Sequence, residues 1–343
     1  MADNYVTLAE AANLHYTEGV FDADIIMNTI NSSPILSGGV NVPGGAMPAA
    51  LPFRIINDRI HYWVRESVEP AGDWYDPGEP VSGNQATVEQ DSVTIRSLKR
   101  RIAIPREVQR GYSSLIDQVS SQLRQQLKGM VSDFMDAFYY GDNATNSKDP
   151  NGIHLLRSYA TPDMEETCAA STATPAALTL SLMDKLVFLD MKEGADMIVM
   201  PRVVYALFAA AKRNSTTGIG ANLQYGVTEF GQPVLQYAGI PMYADDYLGI
   251  VELCNTNSGA ANLQYSAKTG GSAASLHAIK FGPNHLHAIS FSQAGPQVTL
   301  LSGPTQDYDG DILWLTWDVA FARKSNYSIG SIVNIDDATA ITA

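Results

Sequence analysis

The hydrophobic pattern changes its period near Pro105, and this change marks the central stretch of the chain. Residues 93–105 alternate apolar and polar positions, are rich in Val and Ile, and end in Pro, which is typical of a strand. Beyond Pro105, apolar residues recur every three to four positions, which predicts an amphipathic helix from about residue 114 to Tyr140. Such a helix is on the order of 40 Å long, and Gly141 follows its last apolar turn as a usual stop signal. The apolar positions are Leu115, Val119, Leu123, Leu127, Val131, Phe134 and Phe138.

The chain before this stretch contains two segments with little core of their own. Helical spacing of apolar residues predicts a short helix at about 18–29, and the Gly- and Pro-rich residues after it predict an extended arm that reaches residue 50. Two β-rich runs, 51–68 and 88–95, surround a tip rich in Pro, Gly and Asp and predict a long hairpin. The hairpin needs a partner surface, because two strands alone are marginal in water. The arm fits either a neighbouring subunit or an intramolecular path.

The second half of the chain mixes helix and strand patterns. Residues 141–178 are rich in Asn, Ser, Thr and Pro and predict loops. A helix ended by Gly194, a short buried strand at 197–200 and a helix at 201–213 follow. Further strands are predicted at 276–282, 286–292, 298–301, 312–323 and 327–335. The order indicates an α+β protein with a mixed or antiparallel central sheet.

These features, in this order, resemble the HK97-like major capsid proteins of tailed bacteriophages. The resemblance is carried by the strand that ends in Arg101-Ile102-Ala103-Ile104-Pro105, the long helix closed by Gly141-Asp142, and Pro150-Asn151-Gly152-Ile153. It implies an α+β, HK97-like capsid fold. The implied parts are an N-terminal arm (1–50), an E-loop hairpin (51–95), a P domain (96–178) with a spine helix at about 106–140, an A domain with a mixed sheet (179–305), and return strands that complete the P domain (306–343).

The resemblance also implies a structural function and no catalysis. Copies of the chain would form hexamers and pentamers of an icosahedral shell around double-stranded viral DNA, without sequence-specific DNA binding. Scaffolding and portal proteins are the implied partners, and the implied location is the virion capsid, assembled in the host cytoplasm. An encapsulin-like compartment shell protein has the same fold and remains an alternative. Some members join subunits through a lysine on the hairpin, but no lysine lies between Leu51 and Arg96.

Composition argues against several classes of function. The formal net charge of −14 over 343 residues argues against a dedicated nucleic-acid binder, which usually has a basic face. Cys168 and Cys254 have no paired spacing, so neither a disulfide framework nor a zinc site is expected. The first residues lack the pattern of a secretory signal, and no apolar run approaches the ~20 residues of a membrane span. With about fifty residues before the first strand, a long cleaved leader is not expected, and no membrane partner is expected either.

Three groups of residues could carry chemistry, and each departs from a known pattern. His285 and His287 could bind a metal with Asp245 or Asp246, which gives a metal-dependent hydrolase as a second alternative, although zinc normally needs three or four ligands. An acidic turn resembles a calcium loop but lacks the required Gly and Glu positions. The glycines at 218–220 are too few for a dinucleotide fingerprint. No cofactor is therefore expected. The acidic turn contains Asp307, Asp309 and Asp311.

The densest basic cluster, centred on Lys99-Arg100-Arg101, lies in the strand before the helix. Alternation places Lys99 and Arg101 on one face and Arg100 on the other. These charges either protect a solvated strand or meet acidic hairpin residues of neighbouring subunits, where charge sets register more than affinity. We expect the assembly contacts to include this cluster together with aromatic and aliphatic anchors. The predicted contacts are Phe21, Ile25, Trp74, Tyr75, Arg96, Lys99, Arg100, Arg101 and Arg106, and the acidic hairpin residues are Glu66, Glu69, Asp73, Asp76 and Glu79.

Overall fold

The computed structural model describes most of the chain, in separate ranges. These are residues 33–37, 51–68, 74–80, 83, 87–107, 118–158, 164–168, 175–213, 223–227, 233–255, 264–291, 295–301 and 310–342. The predicted helix at 18–29, with its contact residues Phe21 and Ile25, lies outside them. The same holds for the glycines at 218–220 and for Asp307 and Asp309.

Helices and strands are numbered here along the described chain. The helices are α1 (Pro34–Ser37), α2 (Gln118–Tyr140), α3 (Ile153–Ser158), α4 (Leu180–Lys185), which continues into a π-helical turn (Leu186–Asp190), and α5 (Arg202–Arg213). The strands are β1 (Phe53–Ile56), β2 (Ile60–Val68), β3 (Thr87–Thr94), β4 (Arg96–Pro105), β5 (Glu165–Thr167), β6 (Met197–Met200), β7 (Leu223–Val227), β8 (Pro233–Tyr237), β9 (Ile240–Ala244), β10 (Leu253–Asn255), β11 (Gln264–Ala267), β12 (Ala274–Ile279), β13 (Leu286–Phe291), β14 (Gln297–Leu301), β15 (Gly310–Arg323) and β16 (Ile329–Ile335). A 3₁₀ turn spans Asn326–Ser328.

The long helix packs on a five-stranded sheet built around β15. This strand pairs antiparallel with β4 on one side and with β14 and β13 on the other, and β1 adds parallel to β13. Helix α2 lays Phe134 flat on Trp317 of β15, with ring centroids 4.2 Å apart, and sets Phe138 edge-on to Phe321 at 5.1 Å. Fully burying each large apolar side chain contributes roughly 1.5–3 kcal/mol. The aromatic stack therefore fixes the helix on the sheet.

The second layer is a seven-stranded mixed sheet with its own core. Its order is β5-β16-β12-β6-β9-β8-β7, with parallel pairs at β5–β16 and β6–β9. Every residue of β6, β12 and β16 is buried, as expected for central strands that are covered on both faces. Helix α5 contributes Val204 and Phe208 to this core, and α4 with its π turn contributes Met183 and Leu186.

Three predicted boundaries are corrected by strand pairing. The hairpin consists of β2 and β3 alone, because Phe53 of β1 packs against Phe134 and Trp317 and holds β1 in the five-stranded sheet. Strands β13 and β14, predicted in the A domain, also pair in the five-stranded sheet. The last strand, β16, joins the seven-stranded sheet and does not complete the sheet under α2. Alternation identifies a strand but carries no information about its partner.

Two local predictions also differ from the structure. Residues 141–178 were expected to be loops, but they include α3 and β5, whose few residues are too short to show a clear period. The helix expected up to residue 193 becomes a π turn at Leu186 and ends at Asp190. The end of α2 at Tyr140 agrees with the sequence pattern. Within the described ranges, no helix combines the length and apolar character needed to cross a bilayer.

Candidate assembly interface

The hairpin of β2 and β3 has one face against the body of the subunit and one face in solvent. Tyr62 and Val64 on β2 and Val88 on β3 point outward, with 55%, 66% and 62% of their surface exposed. Between them, Trp63 packs beside the small cluster under the hairpin base, and Arg65 donates to Asn326 at 2.8 Å. A two-stranded ribbon with an exposed apolar face is a candidate for burial against another molecule.

The tip of the hairpin carries the two predicted aromatic contacts. Trp74 is fully exposed, whereas Tyr75 is half-buried. Trp and Tyr are the side chains that most often dominate binding energy when an interface covers them. Trp74 is therefore a further exposed apolar side chain, in the connection between β2 and β3.

The basic strand β4 divides its charges as the alternation predicted. Arg100 faces α2, where it pairs with Asp133 at 2.6 Å and donates to Gln126 at 2.9 Å. Arg101, on the other face, lies over the Trp314 ring with its guanidinium carbon 5.9 Å from the centroid. Lys99 is exposed on the same face.

The remaining basic residues lie at the two ends of β4. Arg96 donates to Asn143 at 2.9 Å, which ties the start of the strand to the loop after α2. Arg106 follows the last residue of the strand and is half-buried. The structure thus spreads the predicted cluster along one strand, with Arg100 engaged inside the subunit and Lys99 and Arg101 on the outer face.

A buried polar cluster joins the end of α2 to the seven-stranded sheet. Glu252 is fully buried and accepts hydrogen bonds from Tyr140 at 2.5 Å and Ser275 at 3.1 Å. His154 of α3 lies 3.6 Å from the same carboxyl oxygen, and its ring stacks on Tyr140 with centroids 4.8 Å apart. Burial raises the pKa of Glu252 to about 7 and holds the pKa of His154 well below its ordinary value.

A second buried carboxyl, Asp245, anchors the segment before the first strand to the same helix end. It accepts hydrogen bonds from Ser33 at 2.6 Å, Tyr139 at 2.8 Å and the Tyr247 amide at 2.8 Å. Burial raises the pKa of Asp245 to about 6. The carboxylate oxygens of Asp245 already accept hydrogen bonds from three donors inside the subunit. Its role is therefore structural, and it does not face a metal site.

The two predicted histidines have different side-chain surroundings. His287 is buried in β13, where burial lowers its pKa to about 4. His285 lies before the strand begins and approaches Glu193 at 3.1 Å. Asp246 binds Arg202 at 2.8 Å. Among the residues that the structure describes, no group of three metal-ligating side chains comes together, so the arrangement gives no support to the hydrolase alternative. Cys168 is a free, half-buried thiol whose pKa burial raises to about 12.

The fold is similar to that of solved capsid and encapsulin structures. No protein-family model matches the chain, and no curated protein matches its sequence. Solved structures do match. The capsid of a native GTA particle has a TM-score of 0.61 at 10% identity, covering 97% of this chain and 100% of that one. The capsid of the cyanophage P-SCSP1u has a TM-score of 0.57 at 10% identity, covering 95% and 94%. The SrpI encapsulin of Synechococcus elongatus PCC 7942 has a TM-score of 0.58 at 12% identity, covering 85% and 88%.

These matches confirm the predicted α+β, HK97-like capsid fold. The two capsid matches cover 97% and 95% of this chain. At these identities the similarity concerns the fold alone. The particular role of the subunit has to be argued from its own surfaces.

The buried polar cluster was not predicted from the sequence. Its members come from segments far apart in the chain, and each one alone has the appearance of an ordinary polar residue. His277 illustrates this, because it lies in an apolar strand and reaches Ser331 at 2.7 Å only because β12 pairs with β16. No spacing within the sequence indicates the contact between His277 and Ser331.

Proposed function

We propose that the chain is a structural major capsid protein of a tailed bacteriophage. Copies of it assemble into an icosahedral shell of hexamers and pentamers that encloses double-stranded DNA. The observation that carries the proposal is a capsid fold over nearly the full chain combined with a hairpin whose outer face exposes Tyr62, Val64 and Val88. Because that ribbon is marginal alone, its burial on a second copy would both stabilise it and link subunits.

The proposal includes a division of the chain into functional parts. Residues 1–50 act as an arm, the β2–β3 hairpin acts as an E-loop on a neighbouring subunit, and α2 with the five-stranded sheet acts as the P domain. The seven-stranded sheet acts as the A domain. Scaffolding and portal proteins are the further partners, and assembly takes place in the host cytoplasm. The subunit has no catalytic role in this proposal.

The contacts between copies are proposed to involve both apolar and charged residues. Trp74 and the outer face of the hairpin provide apolar area, and Lys99 and Arg101 provide charge that meets acidic hairpin residues of a neighbour. Individual contacts can be weak, on the order of −4 kcal/mol for a millimolar one, since each subunit makes several at once.

An encapsulin-like compartment is the second candidate, because an encapsulin is among the structural neighbours. It requires the same assembly surfaces but a different content. Particles formed by the chain expressed alone would separate the two. Empty shells would support the capsid proposal, whereas shells that co-purify with one stoichiometric enzyme of the host would support the compartment.

The assembly surface is tested by electron microscopy and size exclusion of the full-length protein. We expect shells or capsomer rings from the unaltered chain and their loss in Val64→Asp, because a carboxylate cannot be buried there without a partner. Val64→Thr is the matched control, since Thr keeps the shape and strand preference of Val, and we expect it to assemble. Normal assembly of Val64→Asp, with the substitution confirmed by mass spectrometry, would contradict the role of this face in assembly.

A further inference from the structure

A cavity of 390 Å³ lies between the hairpin base, α3 and the end of β15. Four apolar side chains line it: Trp63, Val93, Leu156 and Phe321. Five polar or charged residues complete the lining, namely Arg65, Arg323, Asp91, Ser92 and Asn151. Apolar walls with charged groups between them are a usual form of small-ligand site.

The two arginines of this cavity differ in how their charge is balanced. Arg65 lies 3.3 Å from Asp91 and 3.5 Å from Glu89, so carboxylates of β3 neutralise it. Arg323 is only 6% exposed, and its Nη1 atom has no hydrogen-bond partner within the described part of the chain. Burial and then the charge of Arg65 lower the pKa of Arg323 to about 10, although the charge of Asp91 acts in the opposite direction. A buried cation without a hydrogen-bonded anion is destabilising.

Further positive charges act near the hairpin, although the chain as a whole carries −14. Burial and then the charges of Arg54 and Lys324 lower the pKa of His61 on β2. Burial and then the charge of Arg54 lower the pKa of Lys324. The side chain of Trp63 adds a second buried donor, because its Nε1 atom has no hydrogen-bond partner among the described residues.

We propose that this cavity binds a carboxylate that is attached to an apolar body. The fork of Arg323 matches the geometry of a carboxylate. The lining contains two guanidinium groups and one carboxylate, and this net positive charge matches a monoanion better than a phosphate dianion. The apolar walls fit an aliphatic or aromatic group behind the carboxylate. Because the cavity touches the hairpin, α3 and β15 together, an occupant fixes the angle of the hairpin on the body. The carboxylate comes either from a small molecule or from an acidic side chain of a second copy.

Benzoate is a suitable probe, and neutral benzamide is its matched control. We titrate both into the full-length protein at constant ionic strength and follow binding by calorimetry and by tryptophan fluorescence. Saturable binding of benzoate in the millimolar range, with binding of benzamide on the order of tenfold weaker or undetectable, is the expected result. Equal binding of the two probes, or no saturable binding of benzoate, would overturn the proposal.

Substitutions connect the binding to the cavity. We expect Arg323→Met to weaken benzoate binding on the order of tenfold or more. Arg213→Met, at the exposed end of α5 and outside the lining of the cavity, should change it less than twofold. Arg323→Lys keeps the charge without the fork and is the variant to use if Arg323→Met does not fold, with weaker binding again expected. If a folded Arg323 variant bound benzoate with unchanged affinity, benzoate would bind elsewhere and the proposed carboxylate site would be refuted.

The two sources of carboxylate predict different behaviour of assembled particles. If a second copy supplies the group, benzoate binds unassembled subunits but not shells, because the cavity is filled in the shell. If the natural ligand is a small molecule, benzoate binds both forms. Either pattern supports a carboxylate site and assigns its source, and the binding to unassembled subunits stands even if the shell proposal fails.

Discussion

Two glycines, Gly141 and Gly152, allow the end of α2 to meet the loop that follows it. The Gly152 amide donates to the Gly141 carbonyl at 2.8 Å, and the Gly141 amide donates to Ala137 at 2.9 Å. A Cβ atom on Gly152 would lie 2.6 Å from the Ala137 carbonyl oxygen and 2.9 Å from that of Phe138. The close approach therefore explains both glycines of the sequence motif, since backbone atoms cannot move aside as a flexible side chain can.

Gly152→Ala should lower the free energy of unfolding by about 2 kcal/mol or more, because overlap with backbone is one of the few mechanisms that give large single-residue effects. Urea denaturation of the unassembled subunit measures the change. Gly295→Ala is the control, as no atom lies within 4 Å of its added Cβ, and we expect a change within about 0.5 kcal/mol. Equal stability of the two variants would contradict the proposed close contact.

Glu252 makes the stability of the subunit depend on pH. Its pKa is about 7 in the folded protein, whereas the ordinary pKa of a Glu carboxyl is 4.5. The folded state therefore holds a proton that the unfolded state releases, and the stability from this group is complete below pH 4.5 and is lost as the pH rises through 7. A difference of this size corresponds to about 3 kcal/mol at most.

Glu252→Gln removes this titration while it keeps an oxygen that can accept from Tyr140 and Ser275. Between pH 4.5 and 8 we expect the variant to gain stability relative to the unaltered protein by up to about 3 kcal/mol. Urea denaturation at several pH values provides the measurement. Glu89→Gln, at a mostly exposed carboxylate, serves as the control and should show little pH-dependent difference. If the difference in unfolding free energy between Glu252→Gln and the unaltered protein did not change with pH, burial would not raise the pKa of Glu252.

At the scale of elements, one buried ion pair joins α3 to β5. Arg157 and Glu165 lie 2.8 Å apart, with side chains 0% and 2% exposed. His154, one turn earlier on α3, is held neutral partly by the charge of Arg157. Helix α3 contains only six residues, so this pair and the polar cluster hold it more than its own hydrogen bonds do.

Arg157→Leu should destabilise the subunit by about 3–5 kcal/mol, because it leaves the Glu165 carboxylate buried without its partner. The double variant Arg157→Leu/Glu165→Leu should recover most of that loss, since two apolar side chains can replace a buried pair at little cost. A thermodynamic cycle from urea denaturation tests both statements. Additive effects of the two substitutions would show that the charges act independently.

The long elements were predictable from sequence, and the short ones were not. The alternating residues of β4 and the periodic residues of α2 are long enough for the period to be read directly, and Gly141 supplies the stop. The six residues of α3 and the three of β5 show no such period, and the π turn at Leu186 follows from packing of Leu186 and Val187 in the core. Strand partners also escaped prediction, as β1 and β16 illustrate.

At the scale of the whole molecule, Lys99 offers a test of charge between copies. We expect Lys99→Glu to reduce the yield of shells on the order of tenfold at low salt, because it places a negative charge opposite the acidic hairpin of a neighbour. Shell yield is measured by sedimentation over a range of salt concentrations. Lys148→Glu makes the same charge change at an exposed loop residue and should assemble normally. Equal yields from both variants would remove β4 from the proposed interface.

The candidate assembly surfaces were more predictable than the interior of the site. Exposed apolar residues such as Trp74 and basic residues such as Lys99 are visible in the sequence because they break the local pattern. The sequence does not single out the carboxyls Asp245 and Glu252 or the cation Arg323. Their roles depend on burial and on partners from distant segments. The resemblance to capsid proteins supplied the overall architecture, which residue patterns alone left as a general α+β fold.

The order of strands in the five-stranded sheet determines when a newly made chain can complete its body. Strands β1 and β4 are synthesised early, but β15, which pairs with β4, β13 and β14, follows only after residues 106–309 have been made. Contacts between such distant segments form slowly. On the ribosome, α2 and the hairpin are therefore made before the five-stranded sheet is complete. By the time β15 is made, the seven-stranded sheet lacks only β16. The surface on which the hairpin rests is therefore completed only after β15 has been made, which delays association through the hairpin until that point.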